Sequence, residues 1–123
     1  MDSSILLAVI HQEQGSEKIG PELLTRALIS TVNLAEVQGK LLSWGWLAGE
    51  AWADATGSVG EIVPFTAGHA KAAGSLISAT RALGLSLGDR ACLALGLALN
   101  APVYTADRSW KNLKLGIRIH VIR

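Results

Sequence analysis

Short β-branched runs alternate with longer runs of leucine and alanine along this sequence, and that alternation limits the folds open to it more than any other feature. The segments "ALISTV", "EIVPF", "PVYTA" and "IRIHVI" have the composition of buried strands. Helical stretches separate them, and strands separated by helices close into a parallel sheet through right-handed crossovers. The helices are long and the strands short, so the expected class is α/β: a three-layer α/β/α sandwich around a small, mostly parallel central sheet. A chain of 123 residues holds one such core, and residues 1–123 read as a single domain.

The local signals place the elements. Ser3 or Ser4 is expected to cap a helix carrying "ILLAVIHQE", stopped at Gly15. Ser16 and Pro21 open a second helical piece through Leu28, and Asn33 is the expected N-cap of "LAEVQGKLLSW". A further helix covers Leu47 to Ala55, with "TGSVG" as a loop, and Thr66 caps an alanine-rich helix to Leu83. The Asp89 helix runs to Asn100, and Asp107 opens a short helix through Leu113.

Composition removes several functional classes. Apolar residues make up 50% of the chain and charged ones 17%, which suits a globular protein and not a disordered one. The longest uncharged apolar run, Ala91 to Tyr104, is too short for a bilayer and is interrupted by Asn100 and Pro102, so no membrane segment is expected. The opening residues lack the basic region and cleavage site of a signal peptide. The single cysteine, Cys92, allows no internal disulfide and reads as a small core residue in a reducing, cytoplasmic setting. His11, His69 and His120 show no metal-ligand spacing, and neither acyl transfer nor a nucleotide-binding loop is expected. Residues 85–123 carry six Lys/Arg against two acids. That is either a solvated basic face or one turned to an anionic polymer.

The acids are more informative. Of ten, Glu13, Glu17, Glu22, Glu50, Asp54 and Glu61 read as surface charge or helix-end decoration. Asp2 heads the first helix, Glu36 lies one turn beyond Asn33, Asp89 heads "RACLALGLAL", and Asp107 directly follows "PVYTA". In an open parallel sheet, strand carboxyl ends and the following helix N-termini gather on the edge where ligands bind. Four carboxylates gathered there repel and raise one another's pKa. A helix N-terminus offsets only about 0.3–1 kcal/mol of this. A divalent cation offsets more, and an oxygen-only set favours Mg²⁺ or Mn²⁺ over zinc. Such a site suits phosphodiester hydrolysis by metal-activated water. Any one of these acids alone is more simply a helix cap, and Ser86 with Asp89 has capping-box spacing. The four together carry the metal reading.

The blocks "DSSILLAVIHQEQG", "ISTVNLAEVQGKL", "GLSLGDRACLALGLALNAPVYTAD" and "DRSWKNL" resemble, in order and spacing, PIN-domain ribonucleases, and among them the VapC-type toxins of bacterial toxin–antitoxin pairs. The likeness covers nearly the whole chain. It implies a PIN-like sandwich and a Mg²⁺- or Mn²⁺-dependent endoribonuclease toxin that cleaves RNA. It also implies a homodimer, inhibited by a cognate VapB-type antitoxin. The family's catalytic acids fall on Asp2, Glu36, Asp89 and Asp107, with Asp2, Asp89 and Asp107 facing the metal and Glu36 holding a second ion or orienting water. Ser4, Asn33 and Thr105 take its supporting polar positions, and Arg90 and Arg108 are candidates for the RNA backbone.

Two departures stand out. Family members have several apolar residues before the first aspartate, forming a central first strand, whereas only Met1 precedes Asp2, so that strand is expected to be truncated. Some members also carry another acid two residues past the last one, where this chain has Ser109. Two other functions compete: a PIN-like module that binds antitoxin or RNA without cleaving, and a receiver- or phosphohydrolase-like α/β domain. The second lacks the lysine and aspartyl-nucleophile motif it needs. Trp44, Trp46 and Trp52 are read as core or dimer packing in preference to a base-stacking platform or a partner anchor.

Overall fold

The computed structural model describes residues 1–123 and has α/β architecture with short parallel strands between helices. Helix α1 (Ser3–His11) is followed by a 3-10 turn at Ser16–Lys18 and α2 (Pro21–Arg26). Strand β1 (Leu28–Ser30) leads straight into α3 (Thr31–Ser43), then come α4 (Ala48–Ser58) and β2 (Glu61–Val63). Helices α5 (Ala67–Ser75) and α6 (Ile77–Thr80) precede α7 (Leu87–Leu99), β3 (Val103–Thr105) and β4 (Ile119–Val121).

The sheet is in two pieces. Strands β1 and β2 pair in parallel with Ile29 opposite Ile62, and β3 and β4 pair in parallel with Tyr104 opposite His120. Met1 and Asp2 bridge the pieces. The Met1 ammonium donates to the Leu28 carbonyl at 2.9 Å, and the Asp2 N–H donates to the Tyr104 carbonyl at 2.9 Å. These two residues therefore stand where the last rungs of a central strand belong. On their N-terminal side lies an apolar cavity of about 310 Å³ between β1 and β3, lined among others by Leu28, Cys92, Leu95, Gly96 and Val103. The sheet is thus divided at the position of Met1 and Asp2.

Helix α7 is the axis of the core. Ala91 through Gly96 are all buried, which accounts for a run with no polar face. Val103, Trp110, Leu76 and Ala73 pack around Cys92, Leu93 and Ala94. A second cluster joins Leu6 of α1 and Ile29 of β1 to Leu34, Val37 and Leu41 of α3. A third sets Ile5 and Ala8 of α1 against Ala106 and Ile122. Each buried aliphatic side chain contributes about 1.5–3 kcal/mol, and the last two clusters fix α1, and with it Asp2, over the sheet.

Several local expectations need correction. Asp2, and neither serine, is the N-cap of α1, and the helix ends at Gln12 in the left-handed region, before Gly15. Ser30 caps α3 by accepting from the Val32 N–H, which places Asn33 inside the helix. The second helical piece ends at Arg26, and α4 runs through most of the expected loop to Ser58. The alanine-rich helix breaks at Leu76. Gly74 weakens the turn before it, and Thr80 Oγ1 donates back to the Leu76 carbonyl. Thr66 does cap α5, with His69 completing a capping box. Trp46 packs against the second cluster as expected, but Trp44 and Trp52 are exposed. Burial pushes the Cys92 thiol up to about 12, in keeping with a core role. No helix is long and apolar enough to cross a membrane.

Candidate active site

Asp2 lies where α1 starts and β3 ends, and it is only 3% exposed. Its Oδ2 accepts from Ser4 Oγ at 2.6 Å and from Thr105 Oγ1 at 2.9 Å, while Oδ1 is buried with no donor in reach. Burial raises the Asp2 pKa; the two hydroxyls pull it down, and the charges of Asp89 and Glu36 push it up further. Asp2 is therefore within electrostatic reach of both Asp89 and Glu36. Ser4 and Thr105 also order the loop after β3. Ser4 Oγ accepts from the Ala106 N–H at 2.9 Å, and Thr105 Oγ1 accepts from the Asp107 N–H at 3.1 Å.

Glu36 is exposed and lies one turn of α3 beyond the fully buried Asn33, so the two side chains are neighbours at the edge of the buried face. Its Oε1 accepts from Asn33 Nδ2 at 3.1 Å and from Ser3 Oγ at 3.0 Å. Asn33 Nδ2 also donates to the Gly88 carbonyl at 2.9 Å, tying α3 to the first turn of α7. Asp89 sits in that turn, where its Oδ2 accepts from the Ser86 N–H at 2.9 Å and its own N–H donates to Ser86 Oγ at 3.2 Å. Asp107 is exposed, and its Oδ1 accepts from the Ser109 N–H at 2.9 Å and from Ser109 Oγ at 2.7 Å. Asp89 and Asp107 thus each satisfy a backbone N–H at the start of their own helical turn, the capping geometry that the Ser86–Asp89 spacing allows.

No three acidic, histidine or cysteine side chains stand close enough to form a ready-made metal cage. The donor chemistry nevertheless fits a hard divalent cation. The ligands are carboxylates, and the buried, unpartnered Asp2 Oδ1 is an anionic oxygen that a cation would satisfy.

The basic candidates separate. Arg108 is exposed beside Asp107 in an open groove of about 440 Å³ shared with Ser4, Ala106 and Arg123. Arg90 turns away onto α5, where Nη1 donates to the Ala73 carbonyl at 3.0 Å. Sequence reasoning missed Ser3, Gly88 and Arg123. The adjacency of Ser3 to Asp2 and of Gly88 to Asp89 was a signal; for Arg123, paired with Glu13, there was none. Residues Gly84–Gly88 also spell the G-x-S-x-G pattern of a hydrolase elbow, but Ser86 follows no strand and its hydroxyl caps α7. The other six acids bond to none of these four, and all are exposed except the half-buried Glu13, which pairs with Arg123.

A family model described as PIN domain matches residues 1–115. Among solved structures, VapBC2 from Rickettsia felis bound to a DNA fragment from its promoter aligns with a TM-score of 0.74 and 21% identity, covering 98% of this chain and 96% of that one. DNA-bound VapBC from Salmonella typhimurium aligns with a TM-score of 0.72 and 17% identity, covering 99% and 96%. No curated protein gives a significant match. At these identities the structures share the fold.

Proposed function

This chain belongs to the PIN-domain family, matching its model over residues 1–115, and on that premise we propose that it is a metal-dependent endoribonuclease of the VapC toxin type. The observation that carries this reading is Asp2, a buried carboxylate with one unpartnered oxygen, set within electrostatic reach of Asp89 and Glu36. Asp2, Asp89 and Asp107 would hold Mg²⁺ or Mn²⁺. When bound, such an ion supplies Lewis-acid polarisation of a phosphate oxygen and acidifies water near neutral pH.

The chain's own residues do the rest. Ser4 and Thr105 hold the Asp2 carboxylate through Oδ2 and leave Oδ1 free to face the ion. Glu36, oriented by Asn33 and Ser3, holds the attacking water or takes its proton. Arg108 gives the groove beside Asp107 the charge to seat a phosphodiester. A splayed single strand fits an open groove better than a duplex does. The neighbouring folds come from VapBC complexes, and we assign this chain a VapB-type antitoxin as inhibitor and a homodimeric state.

A second reading has a specific observation behind it. Leu42, Trp44, Leu47 and Trp52 are exposed on and between α3 and α4, as a module that works by binding would have them. One experiment separates the two. Purified protein is incubated with RNA in Mg²⁺ or Mn²⁺, in EDTA, and as Asp89→Asn. Cleavage that needs both metal and Asp89 supports the nuclease, while a folded wild type that binds RNA or antitoxin without cleaving it supports the module.

A further inference from the structure

Gly88 is the second residue of α7, and its backbone has ordinary helical geometry, since its φ is not among the positive values in the chain. Nothing in the backbone there calls for glycine, and glycine inside a helix is less favourable than alanine. The reason lies across the interface. A methyl group built on Gly88 would stand 2.3 Å from each carboxylate oxygen of Glu36. That separation is impossible for real atoms, so any side chain at position 88 must displace the Glu36 carboxylate. The displaced atoms are the end of a flexible, exposed side chain, so the cost falls on where Glu36 points and hardly on the fold.

We propose that Gly88 is a positioning residue for Glu36: its missing side chain forms the seat in which the Glu36 carboxylate is held against the first turn of α7, beside Asp89. Asn33 locks the seat from the other side. Its Nδ2 donates both to Glu36 Oε1 and to the Gly88 carbonyl, so one amide fixes the carboxylate and the backbone it rests on. Ser3 Oγ closes the remaining side at 3.0 Å. The seat also faces the N-terminal end of a 13-residue helix, where an anion is favoured. A shape complementarity between two helices, and no direct bond from Gly88 to the carboxylate, brings Glu36 next to Asp89.

This inference deepens the nuclease reading and rests on it for its catalytic consequence, while its geometric content can be read without activity. The test compares Gly88→Ala, Glu36→Ala and the double variant for RNA cleavage in Mn²⁺, with circular dichroism for folding. Gly88→Ala is expected to stay folded and to lose about 10–100-fold in kcat with little change in KM, as for a disturbed supporting group. The double variant is expected to be no slower than Glu36→Ala, because the glycine acts only through Glu36. Additive losses, or wild-type kcat in Gly88→Ala, overturn the proposal. Should Gly88→Ala fail to fold, removing Glu36 in the double variant must restore folding; a double variant that stays unfolded also overturns it. Magnetic resonance of the Glu36 carboxyl carbon and the Asn33 side-chain amide reads the seat directly. Both are expected to shift in Gly88→Ala, and unchanged signals refute it even if wild type never cleaves RNA, an outcome that would instead refute the nuclease.

Discussion

The Thr105 hydroxyl donates to Asp2 Oδ2 at 2.9 Å across 103 residues of sequence, and Thr105 Oγ1 in turn accepts from the Asp107 N–H at 3.1 Å. One buried side chain therefore couples two candidate metal-facing acids. Thr105→Val keeps the shape and removes the hydroxyl. It leaves a buried carboxylate short of a donor and a backbone N–H short of an acceptor. A loss of about 1–3 kcal/mol in urea unfolding is expected, with weaker Mn²⁺ binding by calorimetry. Unchanged stability would mean that water replaces the hydroxyl at no cost.

Asp89→Asn tests the ligand role against the capping role. The asparagine carbonyl can accept from the Ser86 N–H as the carboxylate does, and Asn and Asp cap helices about equally well. The fold and melting temperature should survive, and metal-dependent cleavage should fall by at least about 100-fold. If cleavage persists, Asp89 is only a cap.

That ambiguity shows how far the sequence could be read. Alternating strand and helix runs gave the fold class because burial period is local and repeats along the chain. Asn33 was misplaced as a cap because Ser30, three residues earlier, is an equally good one, and only the contact with Gly88 shows which is used. Gly88 itself carried no signal as a neighbour of Glu36, since 52 positions separate them and only packing of α3 on α7 brings them together. Asp2, by contrast, was legible from its place before the first helix.

Asp2 also sets a pH dependence. Burial raises its pKa above the ordinary 3.8, so the folded protein holds this proton more tightly than the unfolded chain does. Between the two values the native state binds more protons, and stability falls as pH rises through that window and stays lower above it. In EDTA at pH 7, neutral Asp2→Asn is therefore expected to melt higher than wild type and to bind Mn²⁺ worse. Calorimetry from pH 3 to 8 checks both; a variant that melts lower at pH 7 would show that Asp2 is stabilising as an anion.

The divided sheet supplies the last test. Met1 reaches Leu28 with its amino group and Asp2 reaches Tyr104 with its N–H, so residues added before Met1 would run parallel to β1 and β3 and enter the 310 Å³ apolar cavity between them. In a parallel sheet covered on both faces, such a strand should be apolar throughout. Each buried aliphatic side chain contributes about 1.5–3 kcal/mol, offset by about 1–2 kcal/mol per residue of backbone ordering. Extending the chain with four or five Val, Ile or Leu residues should therefore raise the melting temperature by roughly 5 °C or more. It should also tighten metal binding, because Asp2 would be anchored from both directions along a continuous strand. An equal number of Gly and Ser residues is the control, since it adds length without apolar surface. A rise seen with both extensions would trace the effect to removing the charged amino group from Leu28, and no rise with either would mean that Met1 and Asp2 alone already join the two halves of the sheet.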